Sequence, residues 1–259
     1  MPELPDLQVF KKNLSNAYVG KTLKSITVRN KKKLKAPATT IKKALEGQEL
    51  AGIERVGKEL HFKFNNGNVL GVHLMLRGKF VAFDKKNSEK FTIVELTFDD
   101  GSGLALTDFQ GQANITLNPE PRDAPDALSS RVNLAFLKKQ LSTSKAVVKN
   151  VLLDQHILRG IGNAYADDIL WDARISPFSI SNKIPETAVR KLVKSIKQVL
   201  AKGEKNIMKS NPDIISGEVR DFMLVHNAKK EESPTGRQIQ VKTLGGRKTY
   251  FTDEQKLFS

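Results

Sequence analysis

The sequence predicts an α+β fold with a β-rich first half, a helical second half and a β-hairpin near its end. Three observations predict it. Short apolar runs, several alternating with period two, recur between residues 22 and 107. Pro119, Pro121 and Pro125 stand among acidic residues and mark a linker, after which the apolar spacing becomes helical. From about residue 220 a strand-like pattern returns around Gly245-Gly246.

The first helix is expected over 5–18, where Leu7, Phe10, Leu14 and Tyr18 share a face. Strands are expected at 22–29, 50–56, 59–65, 68–75, 92–99 and 103–107, with a second helix at 39–46. Asn66-Gly67 and Asp99-Asp100-Gly101 separate neighbouring runs, where a hairpin needs residues that tolerate positive φ. Short, turn-linked strands of this kind make a sandwich or a barrel. Helices follow at 133–141, 144–154, 163–173 and 185–202, with Ser144 and Pro185 as start signals. RQIQVKT and RKTYFT flank the paired glycines as arms of the terminal hairpin. No internal repeat or low-complexity tract interrupts the plan.

The 259 residues carry 43 Lys and Arg against 28 Asp and Glu, a formal net charge of +15. Such a balance points to a polyanionic partner, nucleic acid first and an acidic membrane second. No stretch approaches the ~18 apolar residues of a membrane span, and MPELPDLQVF lacks the basic-then-apolar look of a signal peptide. A cytoplasmic monomer is expected, nucleoid-associated if bacterial. With no cysteine, disulfides, thiolate nucleophiles and Cys-ligated zinc are excluded. Histidines at 61, 73, 156 and 226 are too scattered for a metal cluster, so neither metal nor cofactor is expected.

Several residue groups carry possible chemistry. Removal of Met1 would leave Pro2 with a free secondary amine, and an α-amino group of pKa about 7.7–8.0 is partly neutral near pH 7. Such an amine can attack a sugar C1′ and form an iminium that acidifies the C2′ proton. Glu3 beside it could protonate the opening ring or relay protons. Alone this signal is weak, because many chains begin Met-Pro. Lys58 follows a glycine where a strand begins and could reach a phosphate, or be a solvated edge lysine. His73 lies in a strand, and Leu76 at the following junction is either an exposed wedge or ordinary core. Arg159-Gly160-Ile161-Gly162-Asn163 joins two helices, its glycines allowing backbone approach to a phosphate and Asn163 opening a helix with unpaired N–H groups. It is equally an ordinary connector. Arg247, at a hairpin tip beside two glycines, could clamp a phosphate or stay solvated.

The order of these groups is more telling than any one. PELP, VGKEL, HLMLRG, RGIGNAYADDIL and GGRKTYF, with NPEP at 118–121 and RDF at 220–222, resemble the formamidopyrimidine-DNA glycosylase / endonuclease VIII family over nearly the whole chain. The resemblance implies an N-terminal β-sandwich with flanking helices over 1–118 and a linker over 119–130. A helix–two-turn–helix domain over 131–222 and a hairpin finger over 223–259 would follow. It implies Pro2 as nucleophile, Glu3 as proton-handling acid, and phosphate contacts from Lys58, Asn163 and Arg247. His73 and Lys149 stand where the family has further DNA-contacting residues. The implied activity is base excision followed by β- and in some members δ-elimination at the abasic site. The implied partner is damaged DNA, as duplex, bubble or single strand.

The departures narrow this reading. Asp6 replaces a family glutamate and is a shorter candidate for a proton relay. Gln110 and Gln112 occupy the places of the arginine and aromatic that fill the gap of a flipped base, leaving Leu76 as wedge and Phe109, one residue off, as a possible substitute. The segment 220–227 is too short for the loop that caps 8-oxoguanine in the purine-specific branch. Glu232, Thr235, Thr252 and Gln255 fall where the family finger has four cysteines, so the finger is expected to be zincless. Strand pairing and apolar contacts from Ile239, Val241, Tyr250 and Phe251 would hold it. The expected preference is for oxidised pyrimidines, ring-opened purines, abasic sites and single-stranded DNA over 8-oxoguanine. A non-catalytic relative that binds damaged or single-stranded DNA is the alternative, and an RNA-binding protein a weaker third.

Overall fold

The structure is a computed structural model that describes residues 1–31 and 34–259. It divides into two compact units. The first comprises residues 1–2, 6–121 and 208–218, the second residues 3–5, 122–207 and 219–259. No helix among the described residues is long and apolar enough to cross a membrane.

In the first unit, helix α1 (Leu4–Tyr18) and the shorter α2 (Ala38–Leu45) flank two antiparallel sheets. One sheet orders β1 (Leu23–Val28), β6 (Thr92–Phe98), β7 (Ser102–Thr107) and β5 (Lys79–Asp84). The other orders β2 (Leu50–Val56), β3 (Glu59–Phe64), β4 (Val69–His73) and β8 (Asn114–Leu117). Alternation buries one face of β3 at Leu60, Phe62 and Phe64, whereas the inner strand β7 is buried on both faces from Gly103 to Thr107. Both inner faces join one core with Leu7, Phe10 and Leu14 of α1, which makes the unit a sandwich. Phe62 of one sheet meets Phe80 of the other edge-on at 6.0 Å. The predicted turns are present: Gly67 and Gly101 adopt φ of +83° and +87° between paired strands.

Two strands were not expected, and both lie at sheet edges. β5 buries only Phe80 fully and β8 only Ile115, so neither shows a strong alternating signal.

The second unit holds α3 (Leu134–Ser142), α4 (Val148–Leu153), α5 (Asn163–Asp172), most of α6 (Glu186–Ser210) and the hairpin β9 (Gln240–Leu244) and β10 (Arg247–Phe251). Asn133 caps α3 by accepting the Phe136 N–H at 3.0 Å. The helix expected from Ser144 begins later. Ser144 instead accepts the Ala146 N–H, and Ala146 and Val148 exchange backbone bonds with Ser181 and Ser179, which holds 144–147 extended. Helix α6 runs eight residues beyond the expected end at 202, through Gly203. A Cβ at Gly203 would lie 2.5 Å from the Tyr165 hydroxyl, so this glycine admits a neighbouring ring and does not end the helix. In the hairpin, Gly245 and Gly246 adopt φ of +55° and +75°, the double positive φ of a tight two-residue turn.

Candidate functional site

In the second unit the start of α5 is occupied by the chain's own N-terminal arm. The Glu3 carboxylate accepts the backbone N–H groups of Gly162 at 2.9 Å, Ala164 at 2.9 Å and Tyr165 at 3.2 Å. It is buried, and it answers the unpaired donors and positive dipole end that every helix start presents. The Leu4 N–H also donates to the Gly160 carbonyl at 3.2 Å. This corrects the reading of the two glycines. They admit the arm rather than a phosphate: a Cβ at Gly162 would stand 2.3 Å from the Glu3 carboxyl carbon, and one at Gly160 2.6 Å from the Leu4 side chain. Pro2 is one peptide bond from this anchor and is buried, while the Met1 ammonium pairs with Glu218 in the first unit.

Asn163, the first residue of α5, donates its side-chain N–H to the Lys248 carbonyl of β10 at 2.9 Å, beside Arg247. Arg247 itself follows the glycine turn and is exposed. Lys149 lies elsewhere than its expected role suggests. It is 1% exposed, its ammonium 2.7 Å from Asp167 and 2.7 Å from the Thr249 hydroxyl. Burial pushes this ammonium below its ordinary range, and the Asp167 carboxylate opposes the shift.

Asp167 and its neighbour Asp168 are the residues that the sequence reading overlooked. Asp167 accepts from Lys149, from His226 at 2.6 Å and from the Tyr250 N–H at 3.0 Å. Asp168 accepts the N–H groups of Leu224, Val225 and His226. Burial pushes the Asp168 carboxyl upward against those three bonds. Adjacent carboxylates on a helix are ordinary surface chemistry, so only burial distinguishes this pair.

The finger is held differently from expectation. Tyr250 and Phe251 are buried and Ile239 packs against the Trp171, Val225 and Tyr250 cluster, but Val241 is 51% exposed because β10 packs inward while its partner β9 is exposed along nearly its whole length. The expected contribution of Val241 is therefore corrected. Polar side chains take its place. Gln255 accepts the Thr252 N–H at 2.9 Å and donates to the Ile175 carbonyl at 2.8 Å. Thr235 donates to Glu254 at 2.7 Å, and Arg174 pairs with Glu254 at 3.2 Å while lying over the Trp171 ring. Among the described residues no group of three or more His, Cys, Asp or Glu is arranged to hold a metal.

In the first unit, Lys58 sits in the two-residue turn between β2 and β3, where Gly57 alone adopts positive φ. Arg55 braces that turn by donating to the Gly57 carbonyl at 3.0 Å. His73 ends β4 and accepts the Met75 N–H on Nδ1 at 2.9 Å, which leaves the ring proton on Nε2. Leu76, in the next turn, is 54% exposed, the placement a wedge needs. Asp6 is buried in the first turn of α1. Gln110 is exposed and Gln112 half-buried, in a loop shaped by Asp108. Its carboxylate accepts the N–H groups of Gln110, Gln112 and Ala113 at 2.8–2.9 Å. Asp108 was not singled out from sequence either; an aspartate accepting N–H groups ahead of it is the one local signal available.

The sequence profile of the formamidopyrimidine-DNA glycosylase N-terminal domain matches residues 1–115, and that of the formamidopyrimidine-DNA glycosylase H2TH domain matches 124–211. The formamidopyrimidine-DNA glycosylase of Mycoplasma genitalium is 30% identical over 271 residues, covering 97% of this chain and 94% of that protein. That of Enterococcus faecalis is 32% identical over 218 residues, covering 78% and 76%. A solved complex of Lactococcus lactis Fpg with DNA containing an abasic site is 26% identical with a TM-score of 0.87, covering 98% of this chain and 100% of that one. By profile, sequence and fold alike, the chain belongs to the formamidopyrimidine-DNA glycosylase family, the DNA glycosylases of base excision repair.

Proposed function

We propose that the chain is a bifunctional DNA glycosylase and abasic-site lyase whose nucleophile is the Pro2 amine, released by removal of Met1. The observation that carries this reading is the arm anchored through Glu3 to the α5 start, which fixes the residue next to the nucleophile with three backbone hydrogen bonds. The Pro2 nitrogen attacks C1′ as the bond from C1′ to the base breaks and the base leaves with a proton. Ring opening and loss of the amine proton give an iminium. The iminium acidifies C2′; a base removes that proton, the 3′ phosphate departs with the electron pair, and water hydrolyses the iminium to restore the amine.

In this reading Glu3 handles the ring-opening proton, with Asp6 as a relay. Lys58, Asn163 and Arg247 contact phosphates, His73 contacts DNA and Leu76 enters the stack. Lys149 acts indirectly, through Thr249 on the strand that carries Arg247. The two glutamines at 110 and 112 and the short 220–227 segment support a preference for oxidised pyrimidines, ring-opened purines, abasic sites and single-stranded or bubble DNA. The setting is cytoplasmic, at the nucleoid in a bacterium.

Borohydride trapping on abasic-site DNA tests the core of this reading. The wild type is expected to form a covalent adduct and Pro2→Gly to lose most of it. No wild-type adduct, or mature protein that keeps Met1, favours a non-catalytic DNA binder, because an acylated proline nitrogen cannot attack. A lesion panel tests the preference separately: strong excision of 8-oxoguanine opposite cytosine overturns that part alone.

A further inference from the structure

We propose that the first unit carries a nucleobase-stacking groove that takes an unpaired base of single-stranded DNA, built on Phe91 and Phe109. The proposal rests on the reading of the chain as a DNA-processing enzyme but assigns Phe109, together with Phe91, to a site apart from the nucleophile and the Leu76 wedge, in place of the gap-filling role that the family resemblance offered it. Both phenyl groups are exposed, at 64% and 61%, among few large apolar side chains so placed. They line one groove of about 660 Å³, within the ~300–1,000 Å³ range of small-molecule sites. Exposed Arg77, Lys79 and Lys90 line the same groove. An open aromatic surface beside cations is what a base and its phosphates require together.

The two loops form one preordered frame. The Asp108 N–H donates to the Phe91 carbonyl at 3.0 Å, tying the loop of one ring to the loop of the other. Asp108 then orders the Phe109 loop through its three carboxylate bonds. On the other side Asn87 donates to Thr92 at 3.0 Å and accepts the Glu89 N–H at 2.9 Å, and the Thr92 hydroxyl donates to the Glu89 carbonyl. Phe91 sits at φ +59°, a conformation that a bulky residue rarely adopts. The ring stays 64% exposed in that conformation, and the backbone is held there by the Asp108 bond to its carbonyl.

The carboxylates of the groove do not oppose this assignment. Asp108 is 4% exposed and turned to backbone donors, and Glu89 alone is an exposed acid facing three exposed bases. Stacking is tolerant of sequence because every base has a π face, so the site reads strand state rather than base identity.

The test separates stacking from charge. Binding of the full chain to a single-stranded thymidine oligomer is compared with binding to an inorganic polyphosphate oligomer of equal charge, which has the phosphates and lacks both the bases and the abasic sugar that the lyase site recognises. The wild type is expected to prefer thymidine by roughly 5-fold to 100-fold. Phe91→Ala and Phe109→Ala should each reduce that preference, with an unchanged slope of affinity against salt, and Phe109→Trp should keep it. Circular dichroism of each variant excludes loss of fold. Equal wild-type affinity for both oligomers, or a preference undiminished in the double alanine variant, overturns the proposal. Adduct trapping on abasic-site DNA is read on the same wild-type protein. Preserved trapping with no base preference sinks only the groove, and absent trapping with a Phe-dependent preference sinks only the lyase reading.

Discussion

At the scale of one residue, the missing side chain of Gly162 lets the Glu3 carboxylate reach the start of α5, where a Cβ would stand 2.3 Å from its carboxyl carbon. A glycine-rich turn before a helix invites a phosphate, and the spacing of Gly160 and Gly162 was legible as such. The occupant is the carboxylate of Glu3, 159 positions away in the chain, and no local pattern records that distance. Gly162 has φ of −120°, which alanine adopts freely, so Gly162→Ala tests close approach without backbone strain. Its Cβ must displace the Glu3 carboxyl, at a cost of about 1–3 kcal/mol for an overpacked site. The expected outcome is a trapping yield lowered about tenfold or more, with a melting temperature lower by about 2–12 °C. A trapping yield equal to wild type separates the arm's anchorage from catalysis. Glu3→Gln replaces one acceptor by an N–H that faces a helix start, so it should lower the urea midpoint by an amount equivalent to about 1–3 kcal/mol.

Among the elements, the terminal hairpin was legible in outline and opaque in detail. The paired glycines and the alternation on either side gave its position, because turn geometry and period are local properties. What holds its base was not legible, because Thr252, Gln255, Thr235 and Glu254 are polar residues with no periodic signature. The edge strands β5 and β8 escaped for a related reason, since each buries one side chain fully. The same base supplies a pH prediction. Burial pushes the Glu254 carboxyl up, but hydrogen bonds from Thr235 and Thr252 and the Arg174 charge prevail and hold it below its ordinary value of 4.5. A carboxyl lowered in the folded state contributes stability that is present above its unfolded pKa and lost as pH falls through the folded value. The protein has one tryptophan, and Trp171 lies against Arg174, so its fluorescence reports this base. It should stay constant above about pH 5 and change on acidification below about 4.5, and Glu254→Gln should remove that step. The inner clasp makes a sharper demand. Asp167→Asn leaves the buried Lys149 ammonium without its counter-charge and should cost about 3–5 kcal/mol, whereas Asp167→Asn with Lys149→Met should recover much of it. A double-mutant cycle in urea measures the difference.

For the whole molecule the deciding quantity is charge, which the composition alone discloses. The formal +15 is distributed unequally between interior and surface. Glu3, Asp6, Asp108, Asp167 and Asp168 are buried, whereas Lys149 is the one buried base among the described residues. Several of these carboxylates face backbone N–H groups inside the protein, as Glu3 and Asp168 do, and so do not meet phosphates at contact distance. Exposed lysines and arginines therefore dominate any approach to DNA within a Debye length of about 8 Å at physiological salt. Affinity should fall linearly on a log–log plot against salt, by about 0.9 per phosphate neutralised on duplex and about 0.7 on single strands. Arg247→Ala should weaken binding nearly uniformly across sequences and reduce the slope by close to one phosphate. A change confined to one base would make Arg247 a reader of sequence. Its exposed position as the first residue of β10, directly after the two turn glycines, argues instead for a charge held out to the backbone.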